Sequence, residues 1–281
     1  MFKMDMKQKT IVIVAVVVVI LAGVYGAQAL NDRHDDARDE TATVDFLIQD
    51  HYGVYFWVEG SGVTVYDAFK DAASTYSIPY VPSVDKNTSA ENGINSMYGL
   101  AMFQDEKGDW IYWNQLYYNG SSWEMTPSYM SGLAAKDYGT IALVYAAYGK
   151  AVPADSTPDV LSLSTEGTVF TIESPSGMYF NIAGNGENVQ AALGNAMAAY
   201  DFPYTANDSQ YGGIKSLFGL SMYQNESGEY IYWEQLVVDN GAWVTSMTGM
   251  PNISVSDCSK MLIVFHAYGN TTNPVLPPVG A

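Results

Sequence analysis

Six aromatic residues, Trp110, Tyr112, Trp113, Tyr117, Tyr118 and Trp123, crowd one short stretch of the chain. Rings that carry a hydroxyl or indole N–H at one edge can stack on a sugar or another ring and fix it with a hydrogen bond. The residues around them do not assemble a catalytic set. His34, His51 and His266 are scattered, and none has a second His or Cys at metal-ligand spacing. The acidic turn at 105–109, Asp-Glu-Lys-Gly-Asp, lacks the ligand order of a calcium loop and reads as a solvated hairpin turn. There is no nucleophile elbow and no phosphate loop. The single cysteine, Cys258, has no His or Lys beside it and reads as a small semi-buried side chain. We therefore expect no enzyme, no bound metal and no resident cofactor. The chemistry on offer is binding.

The aromatic stretch belongs to a repeat. Residues 109–116, Asp-Trp-Ile-Tyr-Trp-Asn-Gln-Leu, return as 229–236, Glu-Tyr-Ile-Tyr-Trp-Glu-Gln-Leu. Gly93, Ile94, Ser96, Gly99, Leu100, Met102, Gln104, Glu106 and Gly108 recur at the same offset of 120, as do Trp123 and 147–149. Upstream the offset becomes 124, relating Tyr55-Phe56 to Tyr179-Phe180 and Pro79-Tyr80 to Pro203-Tyr204. This is a tandem duplication of a unit of about 105 residues, a normal domain size. Two units of that size can each bury a core, so separate cores are expected.

Within each unit the pattern reads β-β-α-β-β-β-β. In the first copy, 44–49 and 54–58 form a hairpin, which Gly60-Ser61-Gly62 breaks. A helix follows, capped by Thr64 with Asp67 three residues on, its apolar stripe formed by Val65, Ala68, Phe69, Ala72, Ala73 and Tyr76. Asn188 caps the second helix, whose stripe is Val189, Ala192, Leu193, Ala196, Met197 and Tyr200. After a loop at 81–92 come strands at 96–104, 110–118, 123–125 and 140–148, with Asn119-Gly120 as a two-residue type I′ turn. One helix on one face of a sheet is an α+β layout. The resulting division is an N-terminus at 1–9, an apolar segment at 10–30, a stalk at 31–42, a first domain at 43–149, a linker at 150–167, a second domain at 168–270 and a Pro-rich tail at 271–281.

A helix opened by Gly62-x-Thr64-Val65, then Ile94-x-Ser96-x-x-Gly99-Leu100, then a strand with Trp110 and Tyr112 ending in Asn119-Gly120, resembles the transcobalamin C-terminal-like domain of prokaryotic surface proteins. The resemblance covers both units. It implies two tandem β-grasp-like domains and, as one functional option, extracellular capture of a small ligand such as a corrinoid.

Residues 10–30 carry no charge, follow Lys3, Lys7 and Lys9, and precede a run of acids. About 20 such residues reach across a bilayer core of ~30 Å, with the C-terminal part outside. A cleaved signal peptide ending near Ala27-Gln28-Ala29 is the other reading, and both export the rest of the chain. Net charge is −18, and Arg33 and Arg38 are the only arginines, so nucleic acid is not an expected partner. Asn87, Asn119, Asn207, Asn225, Asn252 and Asn270 each open a glycosylation sequon. The expected function is non-catalytic work on a membrane-anchored, extracellular protein: adhesion, envelope structure, or binding of surface glycans or proteins. Residue types needed by the shared fold should recur in both copies, which assigns Tyr112, Trp113, Tyr232 and Trp233 to the interior. Tyr117 and Tyr118 become Val237 and Val238, so Tyr117, Tyr118 and Trp123, with Trp110, are the candidate binding residues.

Overall fold

The computed structural model of the chain describes residues 40–155, 157–268 and Pro277. The 10–30 segment, nearly all of the stalk, His34, Asn270 and all of the tail but Pro277 lie outside the described residues. Among the described residues no helix is long and apolar enough to cross a membrane.

The architecture is α+β. In the first copy β1 (Ala42–Gln49) pairs antiparallel with β2 (Tyr55–Gly62), and α1 (Val65–Thr75) follows. Next come β3 (Tyr80–Val84), β4 (Glu91–Met97), β5 (Leu100–Ala101), β6 (Phe103–Gln104), β7 (Trp110–Tyr118), β8 (Trp123–Met125) and β9 (Thr140–Ala147). The main sheet has the order β2-β1-β9-β7-β6, with β8 on β7; β1 and β9 run parallel, and every other pair is antiparallel. A second small sheet holds β3-β4-β5. The second copy repeats each element: β10 (Thr168–Glu173), β11 (Tyr179–Gly184), α2 (Val189–Ala199), β12 (Tyr204–Ala206), β13 (Ile214–Leu217), β14 (Leu220–Ser221), β15 (Tyr223–Gln224), β16 (Tyr230–Asp239), β17 (Ala242–Thr245) and β18 (Lys260–Ala267). Its main sheet has the matching order β11-β10-β18-β16-β15.

Both helices form where the stripes place them. Thr64 and Asp67 close a full capping box, and the Asn188 side chain accepts from Ala191 N. Phe69 and Leu193 are fully buried, with Phe69 edge-on to Phe46 of β1. The glycines at 60–62 do not break the hairpin. β2 runs through them, because a Cβ on Gly60 would lie 2.1 Å from the carbonyl oxygen of Ala68 and one on Gly62 2.3 Å from Ala68 N. Glycine here lets the helix backbone approach the strand, and Gly184 and Gly186 do the same for α2.

Three other expectations are corrected. The loop at 81–92 contains β3 and the start of β4, and the strand expected over 96–104 is divided among β4, β5 and β6, so each copy has nine strands rather than six. The strand expected over 96–104 is cut by a type I′ turn at Tyr98-Gly99, both at positive φ, and Phe218-Gly219 repeats it. Residues 119–122 form a four-residue loop, because Tyr118 pairs with Trp123 and the Asn119 side chain accepts from the backbone of Ser121 and Ser122. The two-residue Asn-Gly turn occurs in the second copy, at Asn240-Gly241.

The cores are not separate. Residues from Ala42 on form one compact unit with a hydrophobic cluster running through both copies. Phe56 stacks on its own counterpart Phe180, with centroids 4.9 Å apart. Tyr55 meets Phe218 edge-on at 5.3 Å, and the counterpart pair Tyr179 and Tyr98 meets at 5.1 Å. The Tyr55–Phe218 contact thus recurs with the roles exchanged, while Phe56 meets its own counterpart, which is the geometry of a two-fold interface. It also accounts for the aromatic residues at positive φ. The left-handed turn costs Tyr98 and Phe218 on the order of 1 kcal/mol, and it aims their rings into the other copy, where packing offsets that cost.

Candidate functional site

One groove occurs twice. In the first copy it has a volume of about 530 Å³ and is lined by Gly93, Ile94, Trp113 and Gln115, with Tyr112 and Tyr129 at its sides. In the second it is about 480 Å³, lined by Gly213, Ile214, Trp233 and Gln235, with Tyr232. The four counterpart positions carry the same residue types. Both volumes fall within the ~300–1,000 Å³ of ordinary ligand sites. The floor is held rigidly: Trp113 and Trp233 are buried, and their indole N–H groups donate to Leu100 and Leu220 carbonyls at 3.0 Å each. Gly93 faces the Gln115 amide without a side chain, and Gly213 faces Gln235 in the same way. The rims differ. Met125, Thr126, Pro127 and Ser128 border the first groove, whereas Asn207, Asp208 and Lys215 border the second.

The candidate residues from the aromatic stretch do not form one patch. Tyr118 and Trp123 pair across the β7–β8 hairpin with rings 5.4 Å apart, and Tyr117 packs edge-on against Tyr138 while donating to Glu124. Tyr118 is exposed, and Tyr117 and Trp123 are half-buried. Trp110 is exposed at the opposite end of β7, about 27 Å away at strand rise. Trp113 and Trp233 are interior as expected, but Tyr112 and Tyr232 are only half-buried. They sit near the end of the sheet, where Tyr112 has only Ala146 opposite and the exposed Tyr148 ring beyond it. Asn87, Asn119, Asn207 and Asn252 are exposed; Asn225 is half-buried, with its amide engaged by Glu229 on both sides. Cys258 is buried, and burial raises its thiol pKa.

A second constellation had no counterpart in the sequence reading. In the second copy Glu173, Val264 and Glu234 stand in one row across β10, β18 and β16, and His266 follows two residues along β18 on the same face. His266 Nε2 lies 2.6 Å from Glu234 Oε2, and Thr245 donates to Glu234 Oε1 at 2.5 Å. Glu173 is fully buried with no hydrogen-bond partner on either oxygen, and His266 Nδ1 has none. Burial pushes the Glu173 carboxyl up to about 8. The first copy has Gln49, Asn114, Ala146 and Met125 at these positions. There Gln49 is satisfied by the linker, donating to Val152 O and accepting from Ala154 N. The available signal was this set of concerted differences between the two copies, rather than any spacing within one. Among the described residues no group of three or more His, Cys, Asp or Glu side chains is placed to hold a metal ion.

At the junction of the copies a cleft of about 220 Å³ lies beside Phe56, Tyr98 and Phe180. No protein-family model matches the chain, and no curated protein matches it.

Proposed function

We propose that the chain is a non-catalytic, exported binding protein, anchored at the cell surface through residues 10–30, whose two units each bind the same class of ligand in the repeated groove. The observation that carries this reading is the groove itself. Folding accounts for the buried tryptophan, but a Gly-Ile wall and a half-buried glutamine also recur in both copies beside different rims. The half-buried Tyr112 and Tyr232 beside an uncharged amide suit a neutral glycan, and a net charge of −18 disfavours polyanions. Two grooves on one rigid unit favour a repeating polymer, because the second contact is made at high effective concentration. The strand order β2-β1-β9-β7-β6, with β1 parallel to β9 and one helix packed on the sheet, supports the β-grasp-like reading of each unit. Corrinoid capture is the weaker reading, since the junction cleft falls below the usual range for ligand sites. The exposed sequons fit glycosylation of an extracellular surface.

The test is binding of full-length protein in detergent to arrayed neutral and anionic glycans. Gln115→Ala and Gln235→Ala should each weaken binding to an immobilised neutral polymer, and the double variant should lose it. Retention of full binding by the double variant, or selective capture of anionic glycans, would overturn the reading.

A further inference from the structure

The outer face of the second sheet is sealed, although the helix lies on the other side. Alternate residues of β18 divide between the two faces. Met261, Ile263 and Phe265 join the core with α2, whereas Leu262 and Val264 cluster with Leu236 and Trp243 on the side away from it. A sheet face with nothing over it stands in water, yet Glu173, Leu262 and Val264 are 0 % exposed there and Leu236 is 1 % exposed. Pro277 shows what lies on this face. It is buried, and its carbonyl accepts the Trp243 indole N–H at 2.9 Å.

Chain length constrains the path to that contact. β18 ends at Ala267, opposite Ile231, and Trp243 stands opposite Val238, further along β16. At strand rise and strand spacing this is about 23 Å along the sheet and about 10 Å across it. The segment from Ala267 to Pro277 reaches at most ~33–36 Å when fully extended. A route over the face, about 25 Å on the diagonal, fits that reach and leaves little length for a detour round the sheet edge. The first copy supplies a precedent. Its linker leaves β9 as the tail leaves β18, and there Gln49, the counterpart of Glu173, donates to Val152 O and accepts from Ala154 N. The tail carries Pro274-Val275-Leu276-Pro277-Pro278. Prolines hold such a segment extended before it binds, and proline-rich segments of this kind dock on aromatic side chains.

We propose that the C-terminal segment 269–281 is a strap that crosses the outer face of the second sheet, anchored by Pro277 on Trp243 and covering the row of Glu173, Val264 and Glu234. Trp243 reads its proline ligand in cis, and releasing Pro277 opens the polar row to water.

The experiment uses full-length, methyl-labelled protein in detergent. Nuclear Overhauser contacts should join the methyls of Val275 and Leu276 to those of Leu262 or Val264. Trp243→Phe keeps a ring but removes the N–H, and should speed elastase cleavage within 269–276 by roughly 2–10-fold, the range for one lost hydrogen bond. Pro277→Gly keeps the carbonyl but frees the backbone; it should speed cleavage in the same direction and shift the Trp243 indole resonance, which Trp243→Phe identifies by its disappearance. Circular dichroism checks that both variants keep the fold. Absence of any contact between the tail and Leu262 or Val264, or cleavage as fast in the parent protein as in both variants, would overturn the proposal.

Discussion

Glu173→Gln isolates the electrostatic cost of the buried row. The folded carboxyl titrates near 8 instead of at its ordinary 4.5, and the cause is desolvation alone. A pKa raised by folding means that the native state holds its proton more tightly than the unfolded chain. The associated stability is therefore fully present below pH 4.5, declines as pH rises, and is gone above about 8. At ~1.36 kcal/mol per unit, the full span is on the order of 5 kcal/mol, with about 3 kcal/mol already lost at pH 7. Glutamine has no proton to lose, so the variant lacks this slope. Urea unfolding at pH 5, 7 and 8.5 should show the variant gaining on the parent protein, from under ~1 kcal/mol at pH 5 to several kcal/mol at pH 8.5. A difference that does not change with pH would refute the reasoning. It would mean that the carboxylate is hydrated or partnered in the folded protein and that its burial carries no such penalty.

Gly60→Ala and Gly184→Ala should each cost about 3 kcal/mol or more, because the new methyl would sit 2.1 Å from a helix carbonyl oxygen; Gly53→Ala, with open space around it, should lose only the ~1–2 kcal/mol of its positive φ. Thermal melts rank the three, and a milder effect at 60 than at 53 would contradict the close strand–helix approach. A double-mutant cycle on Phe56→Ala and Phe180→Ala, read by urea unfolding, should give a coupling of ~0.5–1.5 kcal/mol; zero coupling would mean that the halves do not share a core.

Local rules read from the residues carried the helices fully. Thr64 with Asp67, and Asn188 alone, mark the helix starts because capping is satisfied within three residues, and the 3.6-residue stripe already names Phe69 and Leu193 as core. The duplication and the burial of Trp113 and Trp233 were legible for a related reason: a side chain required by a shared fold survives in both copies. Glycine was misread because the same residue serves as a breaker and as a point of close approach. Only the position of the helix over Gly60 distinguishes the two roles. The turn at Tyr98-Gly99 was missed because an aromatic residue at positive φ is locally unfavourable, and the ring it packs against belongs to the other copy.

The sequence by itself determined the repeat, the helices and the α+β class, since each rests on contacts between residues close along the chain or on comparison of one copy with the other. Tertiary structure alone decided that the copies share one core through a two-fold contact of Phe56 on Phe180, and that Trp110 stands far from Trp123. It alone brought Glu173, Glu234 and His266 onto one face. Those three residues come from three different strands, and the strand order that makes them neighbours is set by which sheet edges pair and by the parallel register of β10 with β18. No spacing within either copy encodes that order, because the side chains that fix it are distributed over the whole core.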